Sequence, residues 1–185
     1  MEWKKHFVTS EHAFLSASKY HWIRYDDDKL KEVWRSHQAA QEGTELHEYA
    51  AKAIKLGIRQ KGSKTLASYI NDAIGYRMSP EVLLYYSDNC YGTADAIGFD
   101  EKTNMLRIHD LKTGKIPAHM EQLMIYSALF CLDYDRRPGE ISCELRIYQN
   151  DEIVIYLPTT EEISQIISKI RSSDKIINKL KFMEG

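Results

Sequence analysis

The chain has 185 residues, of which 43% are hydrophobic and 28% charged, a length and composition that suit one globular domain and exclude a large multidomain machine. Its 25 basic and 27 acidic residues give a formal charge of -2, so net charge does not argue for polyanion binding and any nucleic-acid site has to be a local patch. Three widely spaced cysteines, Cys90, Cys131 and Cys143, argue against a disulfide framework and a paired-cysteine zinc site, and favour a reducing intracellular setting.

No repeat, low-complexity tract or Pro/Gly-rich linker divides the sequence. It contains no run of the roughly 20 apolar residues that a membrane span needs, and its first residues do not resemble a signal peptide. We therefore expect a soluble protein with no membrane partner. We predict a single domain over residues 1–185, with a mostly helical part over 1–80, a sheet core over 81–157 and a C-terminal helix over 159–182.

The first 80 residues carry apolar side chains at helical spacing. Residues 28–40 are typical of a short polar helix, and Thr44 is a candidate cap for a second helix that ends near Leu56. Ser63 precedes a third helical segment that ends near Gly75.

From Glu81 the pattern changes to five short runs rich in Val, Ile, Leu and Tyr, which predict strands: EVLLYYS, YGTADAIGFD, NMLRIHDLKT, CELRIYQ and EIVIYLP. Turn-forming clusters at 100–104 and 150–151 predict that the second and third strands, and the fourth and fifth, form antiparallel hairpins. A helix over about 118–132 would cross between the third and fourth strands. Thr159 and Glu162 stand at capping-box spacing before the last helix. The fold class is therefore α/β.

The third predicted strand carries an acid and an amine on one face. Side chains alternate along a strand, so Asp110 and Lys112 point the same way. A carboxylate can hold a hard divalent cation, and an ammonium can stabilise developing negative charge or orient a water molecule. A bare D-x-K tripeptide is more often an ordinary ion pair on an exposed strand.

A second carboxylate strengthens the metal hypothesis. Asp95, three residues after Gly92, lies on the neighbouring strand of the predicted hairpin and would come near Asp110. Two carboxylates on a largely apolar sheet are costly unless a cation neutralises them. Alternatively, Asp95 faces solvent and Gly92 marks a bulge or strand start. His47, one turn into its helix, could add a nitrogen ligand, although a single helical His is more often a surface or core-edge residue.

Other residues carry weaker signals. Gln122 and Tyr126 are four apart on the predicted crossover helix, so they could bind a common ligand or be an ordinary boundary pair. Lys112, Lys115 and a basic side of the last helix are compatible with DNA, but a solvated helix face explains that side equally well. Several aromatic residues could stack on bases, yet aromatics on strands more often pack on the sheet, so we assign no substrate role to Tyr85, Tyr86, Tyr91, Tyr134 or Trp22.

Four short motifs follow one another in the order G-T-x-x-H (residues 43–47), G-T-A-D (92–95), D-x-K (110–112) and Q-x-x-x-Y (122–126). This ordered set resembles the RecB-type branch of the PD-(D/E)XK nucleases, which includes helicase-associated nuclease domains, CRISPR-adaptation nucleases and stand-alone phage exonucleases. The resemblance covers about residues 10–150. It includes residues 14–23, which look like the serine-containing segment with which many such domains begin.

The resemblance implies a restriction-endonuclease-like core, in which a central mixed sheet of about five strands is flanked by helices. It implies catalytic roles for Asp95, Asp110 and Lys112, with Lys112 positioning or activating the attacking water. A Mg²⁺ or Mn²⁺ ion would be bound by His47, Asp95, Asp110 and the backbone carbonyl of Leu111. Gln122 and Tyr126 would contact the substrate near the cut, and Glu81 is a further candidate ligand, for a second metal.

The chain also departs from parts of this family. Members with an iron–sulfur cluster use one cysteine ahead of the helical His and three near the C-terminus, and the three cysteines here do not fit. We predict no iron–sulfur cluster. Because no Walker A pattern is present, we also predict no nucleotide cofactor, and any unwinding would come from a helicase partner.

The expected function is therefore a divalent-metal-dependent DNA nuclease, with exonuclease action preferred, in recombination, repair or phage genome processing. Its partners would be linear DNA ends or single strands, and a helicase or a recombination or annealing protein is a candidate protein partner. The expected setting is the cytoplasm of a bacterial or phage-infected cell. The alternatives are a non-cleaving nuclease-fold module that binds DNA or a protein partner, and a nuclease for RNA or modified DNA.

Overall fold

The computed structural model describes residues 14–15, 17–114 and 116–184. Ser16 of the serine-containing segment and Lys115 lie outside the described residues. The chain divides into two compact units, Met1–Glu42 and Gly43–Gly185. That the chain is one domain stays a prediction.

The first unit holds a short 3₁₀ helix, Ala17–Arg24, and the start of the long helix α1, Asp27–Leu56. Asp26 is the N-cap of α1. Its Oδ1 accepts a hydrogen bond from the backbone N–H of Lys29 at 2.8 Å. In the same unit the rings of Phe14 and Trp34 pack edge to face, with centroids 4.8 Å apart.

The prediction of two separate helices over 28–56, with Thr44 as a cap, is wrong. Helix α1 runs without interruption through Gly43, and the boundary between the two units lies within it. A glycine in a helix costs about 1 kcal/mol relative to alanine, and the helix-forming residues on either side outweigh that cost. Within the second unit Gly43 also has a packing role, since a Cβ there would stand 2.9 Å from Oγ1 of Thr113.

The second unit is built on an open five-stranded sheet in the order β1-β2-β3-β4-β5. The strands are β1 Ser79–Ser87, β2 Cys90–Asp100, β3 Met105–Leu111, β4 Ser142–Gln149 and β5 Glu152–Tyr156. Neighbours pair antiparallel except β3 and β4, which are parallel. The predicted five strands and both hairpins are confirmed, and the sheet is mixed, as expected for the α/β class.

Three further helices flank this sheet: α2 Thr65–Gly75, α3 Glu121–Asp133 and α4 Thr160–Glu184. The predicted crossover helix is α3, which makes the long connection that a parallel strand pair requires. The capping box before α4 is confirmed, because Thr159 N–H donates to Glu162 Oε2 at 2.8 Å and Glu162 N–H donates to Thr159 Oγ1 at 3.2 Å. No helix in the described ranges is apolar over enough length to span a bilayer.

Two apolar cores hold these helices against the sheet. The larger core joins strand residues such as Leu84 and Ile108 to α3 and α4. The smaller core joins Ala96, Leu111 and Tyr148 to α2 and the last turns of α1. The two cores therefore pack different helices against the sheet. The end of β3 lies near α1, α2 and α3, so all three helices can supply side chains there.

Candidate active site

Three potential metal ligands meet from three different elements. His47 comes from α1, Glu81 from β1 and Asp95 from β2, and their ligand atoms all lie within 4.8 Å of one another. Carboxylate oxygens are the ligands that Mg²⁺ and Mn²⁺ prefer, and an imidazole nitrogen is a ligand for transition-metal ions. The resemblance implied His47 and Asp95 as ligands together with Asp110 and the carbonyl of Leu111, and Glu81 as a further candidate for a second metal.

Asp95 is the centre of the group. Its Oδ2 lies 3.3 Å from Nδ1 of His47 and accepts a hydrogen bond from the backbone N–H of Leu111 at 3.0 Å. The hydrogen bond to Asp95, together with the charges of Asp95, Asp110 and Glu81, raises the pKa of His47. Asp95 therefore has a fixed orientation, and the alternative that it merely faces solvent is wrong.

Glu81 has an unusual backbone. Its φ angle is 51°, in the left-handed region that non-glycine residues rarely adopt. Nearby, Ala94 and Ile97 both belong to the larger core although they are three residues apart on β2, so the alternation of side chains changes phase beside Glu81. Partial burial and the charge of Asp95 raise the pKa of Glu81. Strained residues of this kind cluster at functional sites.

Asp110 is the second buried carboxylate and is only 2% exposed. Its Oδ1 accepts a hydrogen bond from Nζ of Lys112 at 3.1 Å. Nζ also lies 2.9 Å from Oδ2, but without hydrogen-bond geometry, so Oδ2 is a buried oxygen that no described residue hydrogen-bonds. Burial, and then the charge of Asp95, raise the pKa of Asp110 to about 6. The ammonium of Lys112 is the charge partner of this oxygen, and a bound cation would supply the directed contact that it lacks.

Lys112 begins a chain of polar contacts that leads to α3. Its Nζ donates to Oε1 of Gln122 at 3.0 Å, and Nε2 of Gln122 donates to the hydroxyl of Tyr126 at 3.1 Å. Gly92 pairs in register with Leu84, so the alternative that Gly92 marks a bulge is wrong. A Cβ at Gly92 would stand 2.9 Å from Cε1 of Tyr126, and the glycine therefore makes room for the tyrosine ring.

The predicted ligand set is thus only partly assembled as one group. His47, Asp95 and Glu81 converge, whereas Asp110 lies next to them and is held by Lys112. Leu111 faces the site through its backbone N–H, and ligation by its carbonyl stays a prediction. The donor types and the unsatisfied Oδ2 of Asp110 nevertheless fit a hard divalent cation.

Two residues near the site were missed by sequence reasoning. Tyr69 of α2 is buried, and its burial and the charges of Asp95, Asp110 and Glu81 raise the pKa of its hydroxyl. Thr113 contacts α1 at Gly43. Neither carried a signal, since Tyr69 belongs to an ordinary helical stripe and Thr113 follows the end of a strand.

A separate polar cluster lies against α2. The hydroxyl of Tyr148 donates to Oδ2 of Asp72 at 2.7 Å and lies 3.3 Å from Nδ1 of His109. Arg146 forms an ion pair with the same Asp72 oxygen at 3.0 Å. Burial and the charges of Arg146 and Arg107 lower the pKa of His109 to about 3. His109 is therefore a neutral core residue at ordinary pH.

The cysteines lie in the second unit. Cys131 and Cys143 are buried members of the larger core, and Cys90 packs at its edge. Burial raises the pKa of the Cys131 thiol to about 12 and that of the Cys143 thiol to about 11. Both core cysteines are thus protonated apolar side chains. The absence of an iron–sulfur cluster stays a prediction.

The sequence matches no protein-family model, and no curated protein sequence matches it either. The function therefore has to be inferred from the geometry of the site.

Proposed function

We propose that this chain is a divalent-metal-dependent DNA nuclease, acting as an exonuclease in recombination, repair or phage genome processing. One observation carries the proposal: three donor side chains from three elements converge beside a buried carboxylate–lysine pair. Such a concentration of charge costs folding free energy, and cation-assisted phosphoryl chemistry gives it a use.

The residues that would hold Mg²⁺ or Mn²⁺ are His47, Glu81 and Asp95, with Asp110 beside them. A divalent cation supplies Lewis-acid stabilisation of the negative charge that grows on the scissile phosphate. Asp95 is held ready for this role by the N–H of Leu111, which limits the reorganisation that binding needs.

Lys112 would act on the water and the phosphate. An ammonium has three N–H donors, of which Asp110 and Gln122 each accept one. The third can therefore bind the attacking water or a non-bridging phosphate oxygen. The ammonium of Lys112 lies against the carboxylate of Asp110, so its positive charge is positioned for the negative charge that develops on the phosphate.

Gln122 and Tyr126 would orient the substrate. The amide of Gln122 links Lys112 to the hydroxyl of Tyr126, so the positions of all three groups depend on one another. Gln122 is exposed and Tyr126 is half-buried, so a phosphate oxygen can reach their remaining donors. The substrate that we propose for these groups is a DNA end or a single strand.

Digestion of end-labelled DNA tests this proposal. Linear single strands, linear duplexes and a closed circle are incubated with Mg²⁺, Mn²⁺ or EDTA, using wild type, Lys112→Ala and Lys102→Ala. Lys102 is an exposed lysine in the β2–β3 turn and provides the matched control. We expect cation-dependent loss of linear DNA by wild type and Lys102→Ala, and a loss of at least about a hundredfold in rate for Lys112→Ala.

Other outcomes of this experiment have distinct meanings. Cleavage of the closed circle would make the protein an endonuclease. A Lys112→Ala variant that cleaves at the wild-type rate would overturn the assigned chemistry. DNA binding without cleavage by the wild type would replace the proposal with a non-cleaving nuclease-fold module.

A further inference from the structure

An exposed face of the β1–β2 hairpin continues directly from the three-donor group. The pairs Pro80↔Ala96 and Val82↔Ala94 place Glu81 opposite Asp95, and the pairs Leu83↔Thr93 and Tyr85↔Tyr91 follow along the hairpin. Leu84 and Ala94 belong to the larger core, so these two pairs point to the opposite face of the sheet. Helix α1, which carries His47, packs in the smaller core on that face, so the aromatic pair and the helix of His47 share one side of the sheet.

The aromatic pair on this face is available for contact. Tyr85 is 43% exposed and Tyr91 is 61% exposed, and Leu83 between them and Glu81 is 55% exposed. The intervening residues Leu84 and Ala94 point to the other side and belong to the larger core. The packing of the protein therefore does not require aromatic side chains at positions 85 and 91.

The two rings are ordered as a stack. Their centroids are 6.1 Å apart and their planes differ by 21°. The hydroxyl of Tyr85 donates to Oδ1 of Asp88 at 2.7 Å, and the backbone N–H of Tyr85 donates to Oδ2 of Asp133 at 3.0 Å. The ring is thus fixed by its hydroxyl and by its backbone, which leaves part of its surface free for a flat partner.

We infer that Tyr85 and Tyr91 form a stacking platform for unpaired bases of a DNA strand whose scissile phosphate lies at the His47, Glu81 and Asp95 group. This inference rests on the proposed function and specifies its substrate as single-stranded DNA or a frayed end. Four residues of strand separate Glu81 from Tyr85, about 13 Å, which a few nucleotides span at a stacked spacing of about 3.4 Å.

An unpaired base fits the chemistry of this platform. It has no net charge, and it gains by stacking on an aromatic ring whatever its identity. The position of the two rings on the hairpin that also carries Glu81 and Asp95 makes the strand held at the three-donor group the occupant of the platform.

The test compares binding with cleavage. Affinity for a fluorescent oligothymidylate of about 12 nucleotides is measured by anisotropy in EDTA, for wild type, Tyr85→Leu/Tyr91→Leu, Tyr85→Phe/Tyr91→Phe and Tyr134→Leu. Tyr134 is an exposed tyrosine that stacks on Phe130 at the end of α3 and is the matched control. A second oligonucleotide carries the same phosphates but abasic sugars away from the labelled end.

We expect the double Leu variant to lose about tenfold or more in affinity, while the double Phe variant and Tyr134→Leu bind like wild type. The abasic strand should bind wild type about as weakly as the thymidylate binds the double Leu variant. The double Leu variant should still cleave at saturating DNA, with KM raised more than kcat is lowered.

Two results would overturn the inference, and they differ from each other. If wild type cleaves DNA and Lys112→Ala does not, but the double Leu variant binds as tightly as wild type, the proposed function stands and the platform is wrong. If wild type neither binds nor cleaves DNA, the proposed function fails and the platform fails with it.

Discussion

Asp110 is a proposed catalytic residue whose ionisation also lowers the folding stability of the protein. Burial and the charge of Asp95 raise its pKa from an ordinary 3.8 to about 6. Because the folded pKa exceeds the unfolded one, ionisation costs stability above about pH 6, and this cost disappears as pH falls towards 4. The shift corresponds to roughly 3 kcal/mol.

Replacing Asp110 by Asn should therefore stabilise the cation-free protein while abolishing cleavage. We expect a gain of about 1–3 kcal/mol in the free energy of unfolding near neutral pH and a smaller gain near pH 5. Urea unfolding in EDTA at both pH values measures the difference, and subtracting the variant from the wild type removes contributions from titrating groups that the Asp110 charge does not reach. A variant less stable than wild type near neutral pH would contradict the assigned electrostatics.

Glu81 allows a matched test of backbone strain. Glu81→Ala and Glu81→Gly both remove the carboxylate, but only glycine accepts a φ of 51° without cost. We expect Glu81→Gly to be about 1 kcal/mol more stable than Glu81→Ala, with both variants binding Mn²⁺ more weakly than wild type. Thermal unfolding gives the first comparison and calorimetry the second. Equal stability of the two variants would show that the strain is absent.

Sequence reasoning reached most of the site at this scale and missed part of it. Alternation along β3 correctly placed Asp110 and Lys112 together, and helical spacing correctly joined Gln122 to Tyr126. Neither pattern gave a reason for Glu81 to lie near His47, because their proximity depends on the left-handed backbone of Glu81, which breaks the alternation. A residue such as Tyr69 lies near the site only through tertiary packing.

The packing of β2 against α3 depends on the lack of a Cβ at Gly92. It lies on β2 under Tyr126 of α3, where a Cβ would stand 2.9 Å from the ring. Gly92→Ala should push the ring away and break its hydrogen bond with Gln122. We expect a fall of about tenfold in kcat with a stability loss of only about 1 kcal/mol.

Gly139→Ala is the control for this substitution, because a Cβ at Gly139 meets its nearest neighbour at 3.6 Å, an ordinary contact distance. Cleavage assays and thermal unfolding are run on both variants. If Gly92→Ala keeps full activity, Tyr126 does not need its present position.

The elements themselves were largely predictable. Apolar runs bounded by turn clusters identified the five strands, and the capping box identified the start of α4. The single long α1 was not predicted, because a glycine followed by Thr44 imitates a helix end and a new cap. Contact of Gly43 with Thr113 helps to explain why a glycine occurs within the helix, and it involves residues 70 positions apart, beyond the reach of local patterns.

For the whole molecule, the five strands and the connection through α3 could be predicted from the sequence, because turn clusters mark the hairpins and a helical segment marks the crossover. The division of the chain into Met1–Glu42 and Gly43–Gly185 had no counterpart in composition or linkers. All residues of the candidate site lie in the second unit. The polar groups of this unit that face α2, such as His109 and Tyr148, serve its packing.

The proposed activity depends on a cation site formed by His47, Glu81 and Asp95. The most direct measurement is calorimetric titration of Mn²⁺ into the wild type and into Asp95→Asn, with thermal unfolding confirming that both are folded. We predict that the wild type binds Mn²⁺ and that Asp95→Asn binds it at least about tenfold more weakly. Equal Mn²⁺ affinity of the two folded proteins would contradict the account.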